Sequence, residues 1–532
     1  MPGGSLGVGV TGGAGTLVAR SSSPSVEATY DATAHRLTLV ARAPGTAAVT
    51  LSDGAGDRAN LDVLVAPPAG IVPSDVTVAL GGNVSPAFAL ARANDEIVRQ
   101  AQLQPKTTID ARGINIPATL HPGDRVDALA RVKIDGQNVF VDALGTSRVH
   151  LRVDPYPKID PQLLLYSDDP ERLDAAADGL LYRAAVDVTH PARAYVYHVS
   201  DVPGRRLYLA LQSGHLPARV QLLGYSAGPE NAFSFVGHRA TLQYLLERGA
   251  GESVVVDVAA DAPLLVPLGG RPMRRGDLIA SIFDLRVLQG DALTVSVVAV
   301  SGDRDPLEVL AGREIAGDGH GRRGEFSLVD VPPLSLAFAV GAAEPTPFAV
   351  GTPTVANLRP DGRALGGDYG VLRGIALQLS NPTAAPATAY FYESPAGGNA
   401  TTTLWFTGDP APTEIACVRV PTNRYTIKAF ELAPGETRAV TGEYMTDGTS
   451  YFPLLFGLTT TPPSPPPGPY SPDACTPKAP PASAVPAATG SPPSAQTPLP
   501  AAPNATPPPG TPSPTGTPPP PGTPPSPRLR PA

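Results

Sequence analysis

The stretch RLYLALQSGHLPARVQLLGYSAGP, from Arg206 to Pro229, decides the fold class of this chain. It contains an alternating segment, a polar turn with a Pro step, and a second segment ending in an aromatic residue. GIALQLSNPTAAPATAYFYESPAGG, from Gly374 to Gly398, follows the same order. Alternation of this kind favours half-buried β-strands. We therefore predict a mainly β protein with a hairpin at the centre of each of two β-sandwiches; whether these are related repeats stays open.

The N-terminal segment has short alternating stretches separated by Gly, Pro, Asp and Ser clusters, which is typical of an antiparallel sandwich. Its most distinctive parts are SSSPSV at Ser21–Val26, RLTLVARAPGTAAVTL at Arg36–Leu51 and NLDVLV at Asn60–Val65. In these residues it resembles the bacterial Ig-like domains of invasin and intimin adhesins, over about residues 6–66. The resemblance implies a structural spacer or adhesin module without specifying a ligand. The rest of the chain resembles uncharacterised bacterial envelope proteins only loosely.

Composition shifts and turn signals predict tandem Ig-like or sandwich domains with one small α+β unit and a disordered tail. Helical patterns are confined to Pro86–Gln104, Glu171–Ala177 and Thr241–Arg248. The predicted units are 1–66, a bacterial Ig-like sandwich; 67–156, a small α+β domain; 157–310, a β-sandwich with short helices; 311–324, a Gly-rich connector; 325–460, a second β-sandwich; and 461–532, a disordered Pro-rich tail.

Composition and charge narrow the classes of partner. Charged residues make up only 17% of the chain and the net charge is −8, without a long run of one sign. We therefore expect neither nucleic acid nor an acidic membrane surface as a partner. No apolar run is long enough for a transmembrane segment. The opening MPGGSLGVGV has no secretory pattern, so we expect an extracytoplasmic protein whose signal sequence is not in the given chain.

The motif GYSAG at Gly224–Gly228 matches the nucleophile elbow of hydrolases, which would make Ser226 a nucleophile with His238 as its partner. An elbow needs a strand, a sharp turn and then a helix. Pro229 follows here without a helical pattern, so we interpret GYSAG as a hairpin turn and assign no catalytic residue.

Four histidines, His190, His198, His215 and His238, fall in the range 157–310 and would form a zinc or copper site if they converged. Their spacing matches no metal-binding motif, so we predict isolated histidines, no metal and no cofactor. The tripeptide Arg275–Gly276–Asp277 and the acidic turn at Asp53–Asp57 are likewise interpreted as turns, not as an integrin-binding site and a calcium site.

The two cysteines allow one structural hypothesis. Cys417 lies in the strand-like EIACVRV, and Cys475 lies in SPDAC at the start of the Pro-rich region. In an oxidising compartment a disulfide between them would attach the tail to the last sandwich. Two free thiols are the alternative.

Tandem β domains, low charge and a Pro-rich terminus together favour a non-enzymatic secreted or cell-surface protein for display, adhesion or structural spacing. Its partner is unknown, and an envelope glycan or protein is the candidate class. Two alternatives stay open: a secreted hydrolase or carbohydrate-active protein with its site in 157–310, and a self-associating envelope matrix component. An adhesin would expose an apolar or aromatic patch, for which Trp405–Phe406 and Tyr390–Tyr392 are the candidates.

Overall fold

The computed structural model describes residues 3–302, 304–319, 321–351, Leu358, 365–418 and 423–465. The predicted Pro-rich tail lies outside the described residues from position 466 onward. Within them the protein is mainly β, with 32 strands and three helices. The mainly β prediction is therefore confirmed. None of the described helices is both long enough and apolar enough to cross a membrane.

The N-terminal module consists of two three-stranded sheets. Its strands are β1 (Ser5–Gly9), β2 (Val18–Ser21), β3 (Val26–Asp31), β4 (Arg36–Ala41), β5 (Gly45–Ser52) and β6 (Arg58–Val65). One sheet has the order β1-β4-β3 and the other β2-β5-β6. Leu37 and Leu39 of the first sheet share a core with Val49 and Val65 of the second, so the module is a small β-sandwich.

The next part of the chain contains the first helix. Its elements are β7 (Gly70–Ile71), β8 (Asp75–Gly81), α1 (Pro86–Gln100), β9 (Gln102–Leu103), β10 (Thr108–Arg112), β11 (Arg125–Asp135) and β12 (Ala143–Asp154). The predicted helix at Pro86–Gln104 is present but ends four residues earlier. It begins where the Ser85 side chain accepts the Phe88 backbone N–H, with Pro86 in the first turn. Its apolar side packs on β8, β11 and β12 around one core.

The largest part of the fold follows. Its elements are β13 (Leu163–Ser167), β14 (Arg172–Leu173), β15 (Gly179–Val186), β16 (Ala192–Ser200), β17 (Arg205–Ser213), β18 (Ala218–Glu230), α2 (Phe233–Ala250), β19 (Ser253–Val258), β20 (Leu264–Met273), β21 (Leu278–Gln289), β22 (Leu293–Ser301) and α3 (Leu307–Leu310). The predicted helix at Glu171–Ala177 is wrong, because that segment is the short strand β14 and a turn. The helix predicted at Thr241–Arg248 is only the second half of α2, which ends at Gly251 in the left-handed conformation.

Ten strands remain, of which the first belongs to another sheet and the other nine form the last sandwich. They are β23 (Arg323–Ser327), β24 (Leu334–Ala339), β25 (Phe348–Val350), β26 (Leu372–Ser380), β27 (Ala387–Pro395), β28 (Ala400–Phe406), β29 (Thr413–Val418), β30 (Tyr425–Leu432), β31 (Thr437–Thr446) and β32 (Leu454–Thr459). The sheet β24-β26-β31-β28-β29 faces the sheet β25-β32-β27-β30. Leu377, Phe391 and Phe456 lie in the core between them.

One long sheet runs through the middle of the molecule. Its order is β10-β11-β12-β8-β19-β18-β21-β16-β13-β23, and β14 pairs with β16 off this path. β8 pairs with β19 through Gly81 and Ser253, so the predicted units 67–156 and 157–310 share a sheet. β23 pairs with β13, so the sheet also includes a strand that begins in the predicted connector.

Both faces of the long sheet are covered in its central part. On one face β16, β18 and β21 pack against the sheet β15-β22-β17-β20. On the other face they pack against α2 and against residues of the last sandwich, including Val371 and Met445. Because both faces are covered, β16 and β21 are buried along nearly their whole length.

Neither of the two segments predicted to be a hairpin pairs its two strands with each other. β17 pairs with β20 and β22, whereas β18 pairs with β19 and β21 in the long sheet. β26 and β27 also lie in opposite sheets of the last sandwich. The hairpin prediction was wrong, because alternation identifies strands but not their partners. In both places the short connection crosses the core from one sheet to the other.

Candidate functional site

Ser226 lies inside β18, so neither an elbow nor a hairpin turn surrounds it. Its Oγ is 2.7 Å from the Oγ of Ser281, the residue opposite it on β21. The expectation that no helix follows was wrong, since α2 begins at Phe233. The strand nevertheless continues to Glu230, past Ser226, and places the hydroxyl in a cross-strand pair. This environment does not activate Ser226 as a nucleophile.

The four histidines of range 157–310 occupy separate places. His190 is exposed and contacts the carboxylate of Asp187, while His215 is exposed in a turn. His198 and His238 are buried in different polar clusters. Among the described residues, no group of three or more His, Cys, Asp or Glu side chains is arranged to hold a metal ion.

His198 forms a buried pair with Ser167. The Oγ of Ser167 lies 2.9 Å from Nε2, and Nδ1 lies 2.8 Å from the carbonyl oxygen of Pro170. A proton on Nδ1 satisfies both contacts, because the carbonyl then accepts from Nδ1 and Nε2 accepts from the hydroxyl. Burial lowers the pKa of His198 to about 4, so the ring is neutral near pH 7. Ser167 and His198 are both fully buried, which suits a role in joining β13 to β16.

His238 lies on α2 and contacts two carboxylates of the last sandwich. Its Nδ1 is 2.6 Å from Oδ2 of Asp447, and its Nε2 is 2.8 Å from Oε2 of Glu414. The other oxygen of Asp447 accepts from the Thr403 hydroxyl at 2.9 Å. Burial opposes the charged ring, but Asp447 and Glu414 outweigh it and raise the pKa of His238 to about 9. His238 is therefore an imidazolium that joins α2 to the last sandwich.

A second buried cluster surrounds Asp284 of β21. Its two oxygens lie 2.7 Å and 3.2 Å from Nε and Nη2 of Arg193, and Tyr244 donates to it at 2.7 Å. Arg193 also donates at 3.0 Å to the carbonyl of Gly370, which leads into the last sandwich. Arg248 of α2 completes the cluster, 3.6 Å from Asp284. Fixed guanidinium geometry allows this pairing of buried charges.

A third cluster lies around Asp168, next to β13. Arg322 is 3.1 Å from Asp168 and 2.8 Å from Glu171. Burial raises the pKa of Asp168 well above its ordinary value, although Arg322 opposes the shift. The rings of Tyr195 and Tyr369 stack nearby at 6.5 Å, again joining β16 to the last sandwich.

We call the contact of α2 and the long sheet with the last sandwich the junction. The clusters around His238, Asp284 and Asp168 all lie on it. Sequence analysis singled out His238 but missed Arg193, Asp284 and Asp168. Arg193 and Asp284 lie on β16 and β21 and Asp168 directly follows β13, and nothing in their spacing along the chain indicates how those strands pair. The only available signal was the presence of charged residues inside otherwise apolar strands, such as RAYVYHV.

The remaining sequence candidates also have structural roles. Asp277 of the Arg-Gly-Asp tripeptide is buried and forms an ion pair with Arg271 at 2.7 Å. Asp53 accepts the backbone N–H groups of Ala55 and Asp57 within its own turn and that of Ala14 from the loop between β1 and β2, and the bond from Ala14 contributes most to lowering its pKa. Both observations agree with the interpretation of these motifs as turns.

The candidate aromatic patches are largely internal. Trp405 is half-buried against Gly249 of α2 and donates to the Asp409 carbonyl at 3.0 Å. Phe406 and Tyr392 are buried. These rings pack within the fold and do not form an exposed patch.

Cys417 is buried on β29, as its strand pattern predicted. Cys475 lies outside the described residues. The disulfide between Cys417 and Cys475 therefore stays a prediction.

Comparison with models of known protein families finds no match, and comparison with curated proteins likewise finds none. Solved structures give weak similarities. The M60 catalytic domain with two CBM51 domains from Clostridium perfringens ZmpB is 8% identical over 78% of this chain and 49% of its own, with a TM-score of 0.15. Tripeptidyl peptidase 2 is 11% identical over 67% of this chain and 29% of its own, with a TM-score of 0.15. These similarities assign neither a fold nor a function to this chain.

Proposed function

We propose that the chain is a non-enzymatic, extracytoplasmic protein that displays binding surfaces on a rigid β scaffold. In this proposal the N-terminal sandwich is an Ig-like module of the invasin and intimin type. The observation that carries the proposal is the use of buried charge at the junction. His238 on α2 contacts Asp447 and Glu414 of the last sandwich, and Arg193, which Asp284 holds, donates to the Gly370 carbonyl that leads into it. Surfaces on the two parts therefore keep a fixed relation.

The chemistry of the buried groups supports a structural role for them. The His198 ring is neutral and its Nε2 accepts from Ser167, an arrangement that would suit a base in an open site. Both side chains are enclosed by β13 and β16, however, and no substrate reaches them without opening the sheet. His238 carries a proton between two carboxylates, which makes it a poor base near pH 7.

The first experiment distinguishes a non-enzymatic display protein from a hydrolase. The full chain is tested on chromogenic glycoside, ester and peptide substrates beside the variants Ser167→Ala and His198→Gln, with His215→Gln as a matched exposed control. We expect no turnover above the blank in any of them. Turnover that disappears in Ser167→Ala or His198→Gln but persists in His215→Gln would replace the proposal with a hydrolase.

The second experiment tests location. Intact producing cells are treated with an external protease, and the chain is then detected with an antibody. We expect loss of the full-length band while a cytoplasmic marker survives. Protection of both proteins in intact cells, with digestion only after lysis, would contradict the extracytoplasmic assignment.

A further inference from the structure

The end of the long sheet formed by β10, β11, β12 and β8 is covered on one face only. α1 and its core lie against that face. The opposite side chains are exposed or half-exposed to solvent. We call this second surface the open face. It carries Thr108, Asp110 and Arg112 of β10, Arg125, Asp127, Leu129, Arg131 and Lys133 of β11, Leu144, Thr146, Arg148, His150 and Arg152 of β12, and Asp75 and Thr77 of β8.

Arginines form a diagonal across three strands of the open face. Arg112 lies directly opposite Arg131, and Arg148 lies opposite Leu129, two residues before Arg131. Directly opposed like charges destabilise a sheet, and diagonal neighbours are still within reach of long side chains. A second pair of opposed arginines, Arg125 and Arg152, lies at the other end of β11. The register therefore concentrates positive charge that the linear sequence disperses.

Arg131 and Arg148 have no ion-pair partner among the described residues. Arg112 contacts Asp110 at 2.7 Å, but its side chain is 81% exposed and its guanidinium retains free donors. Lys133, by contrast, is held by Asp135 and Asp142. The Arg112–Arg131–Arg148 diagonal thus carries unsatisfied donors side by side on three strands, while Arg125, which also has no ion pair among the described residues, lies at the other end of β11.

A shallow depression adjoins this diagonal. It has a volume of about 370 Å³ and is lined by Asp127, Ala128, Leu129, Arg148 and His150. Asp127 holds Nδ1 of His150 at 2.7 Å, and Asp75 lies 3.6 Å from Nε2. The hydrogen bond from His150 to Asp127 is the main cause that raises the pKa of His150. The depression thus combines hydrogen-bonding groups with one large apolar side chain, Leu129.

The residue types on the open face restrict what it binds. β8, β10, β11 and β12 contain no Phe, Tyr or Trp, and the one imidazole of the face, His150, is held by Asp127, so the face has no large aromatic ring on which a nucleobase or an uncharged sugar would stack. Leu129 and Leu144 are the only large exposed apolar side chains of these four strands, fewer than the centre of a protein interface needs. Guanidinium groups bind carboxylates with two parallel hydrogen bonds.

The geometry points to an acidic polysaccharide as the ligand of the open face, laid across β10, β11 and β12 with its carboxylates on Arg112, Arg131 and Arg148. Neighbouring strands are about 4.8 Å apart, a distance comparable to the length of one sugar unit in an extended chain. Thr146 and Asp127 then face the sugar hydroxyls. The net charge of −8 belongs to the whole chain, whereas the open face carries six Arg and Lys side chains against three Asp, so the contact depends on local pairing.

The test measures binding of the full chain to polygalacturonate, with uncharged dextran and single-stranded DNA as comparison polymers. Arg131→Gln and Arg148→Gln remove charge from exposed positions. Arg58→Gln, on an exposed position of β6 with no ion pair among the residues that the structure describes, is the matched control. We expect affinity for polygalacturonate to fall about tenfold in each open-face variant and to weaken with salt. Arg58→Gln should bind as the unmodified chain does.

Three outcomes would overturn the inference: no binding of polygalacturonate at low salt, equal binding of dextran, or binding that Arg131→Gln and Arg148→Gln leave unchanged. DNA binding at equal strength would assign the face to nucleic acid instead. Thermal unfolding of each variant checks that the loss is local. The result does not depend on the chain being non-enzymatic, because turnover is measured separately.

Discussion

Glu393 of β27 has its carboxyl group fully buried inside the last sandwich. Burial raises its pKa from 4.5 to about 8, although the Thr402 hydroxyl opposes the shift. Between these two values the unfolded chain has released the proton and the folded chain still holds it. The free energy of unfolding therefore falls as pH rises from about 4.5 to about 8.

Replacing Glu393 by Gln removes the ionisation and keeps the shape of the side chain. We expect Glu393→Gln to be more stable than the unmodified chain by roughly 3 kcal/mol at pH 7, and close to it at pH 4.5. Denaturant unfolding at several pH values measures this. Glu431→Gln, at an exposed position of β30, is the control and should shift neither curve. Equal stability of Glu393→Gln and the unmodified chain at both pH values would contradict the inference that Glu393 is buried as a neutral carboxylic acid.

His238 gives a pH dependence with a different window. Its folded pKa of about 9 lies above its ordinary value of 6.5, so its contribution to stability is complete below pH 6.5 and is lost as pH rises through 9. We expect His238→Gln to lose on the order of 3 kcal/mol at pH 6 and much less at pH 9.5. His215→Gln is the control, and stability is again measured by denaturant unfolding. A loss that stays constant from pH 6 to pH 9.5 would indicate a packing effect instead of a charge effect.

Individual residues show how far sequence reasoning reaches in this chain. The local reason for denying the motif around Ser226 a catalytic role was wrong, since a helix does follow it. Arg131 and Arg148 looked like dispersed surface charge, because only the register of β11 with β12 places them near each other. Residue types predict which side chains are able to bind a ligand or transfer a proton, whereas the pairing of distant strands decides which of these side chains lie close together.

At the scale of elements, α2 contacts the last sandwich through a glycine. A Cβ atom on Gly237 would overlap the carbonyl of Gly448, so the helix approaches the loop after β31 as closely as the backbone allows. Gly to Ala inside an exposed helix ordinarily stabilises it by about 1 kcal/mol. Here we expect Gly237→Ala to destabilise the protein by about 1–3 kcal/mol, because the junction must open to accept the methyl group.

Thermal unfolding tests this expectation against Gly270→Ala. A Cβ atom added to Gly270 would meet no other atom within 4 Å, so this residue of β20 serves as the matched control. The control should leave the melting temperature nearly unchanged, while Gly237→Ala lowers it by several degrees. Stabilisation by Gly237→Ala would mean that α2 and the last sandwich are not held this closely.

Elements were predictable to unequal degrees. Strands such as β5 and β11 follow directly from alternation, and α1 follows from its apolar face with Ser85 and Pro86 at its start. α2 was half missed because it is buried on several sides and therefore has little amphipathic contrast. Strand partners were not predictable, since β17 and β18 pair in different sheets although a short loop joins them.

At the scale of the whole molecule, the long sheet contains strands from the ranges 67–156 and 157–310 and one that begins in 311–324, which the sequence analysis predicted to be separate units. Its strands from range 157–310 are bordered by β8 on one side and by β23 on the other, and both lie outside that range. A fragment of residues 157–310 therefore exposes the edges of β19 and β13. It also uncovers the side of α2 and the long sheet that contacts Val371 and Met445. Unpaired edges and apolar faces of this kind promote association.

We expect the fragment 157–310 to form oligomers or aggregates, and the fragment 67–465, which retains β8, β23 and the last sandwich, to be monodisperse. Size-exclusion chromatography with light scattering distinguishes the two outcomes at equal concentration. A monodisperse 157–310 fragment with the same melting temperature as 67–465 would mean that β8, β23 and the junction contribute little, and that range 157–310 is an independent domain. If only the fragment 157–310 associates, the folding unit is the whole continuous sheet. The positions of linkers along the sequence do not reveal a unit of that kind.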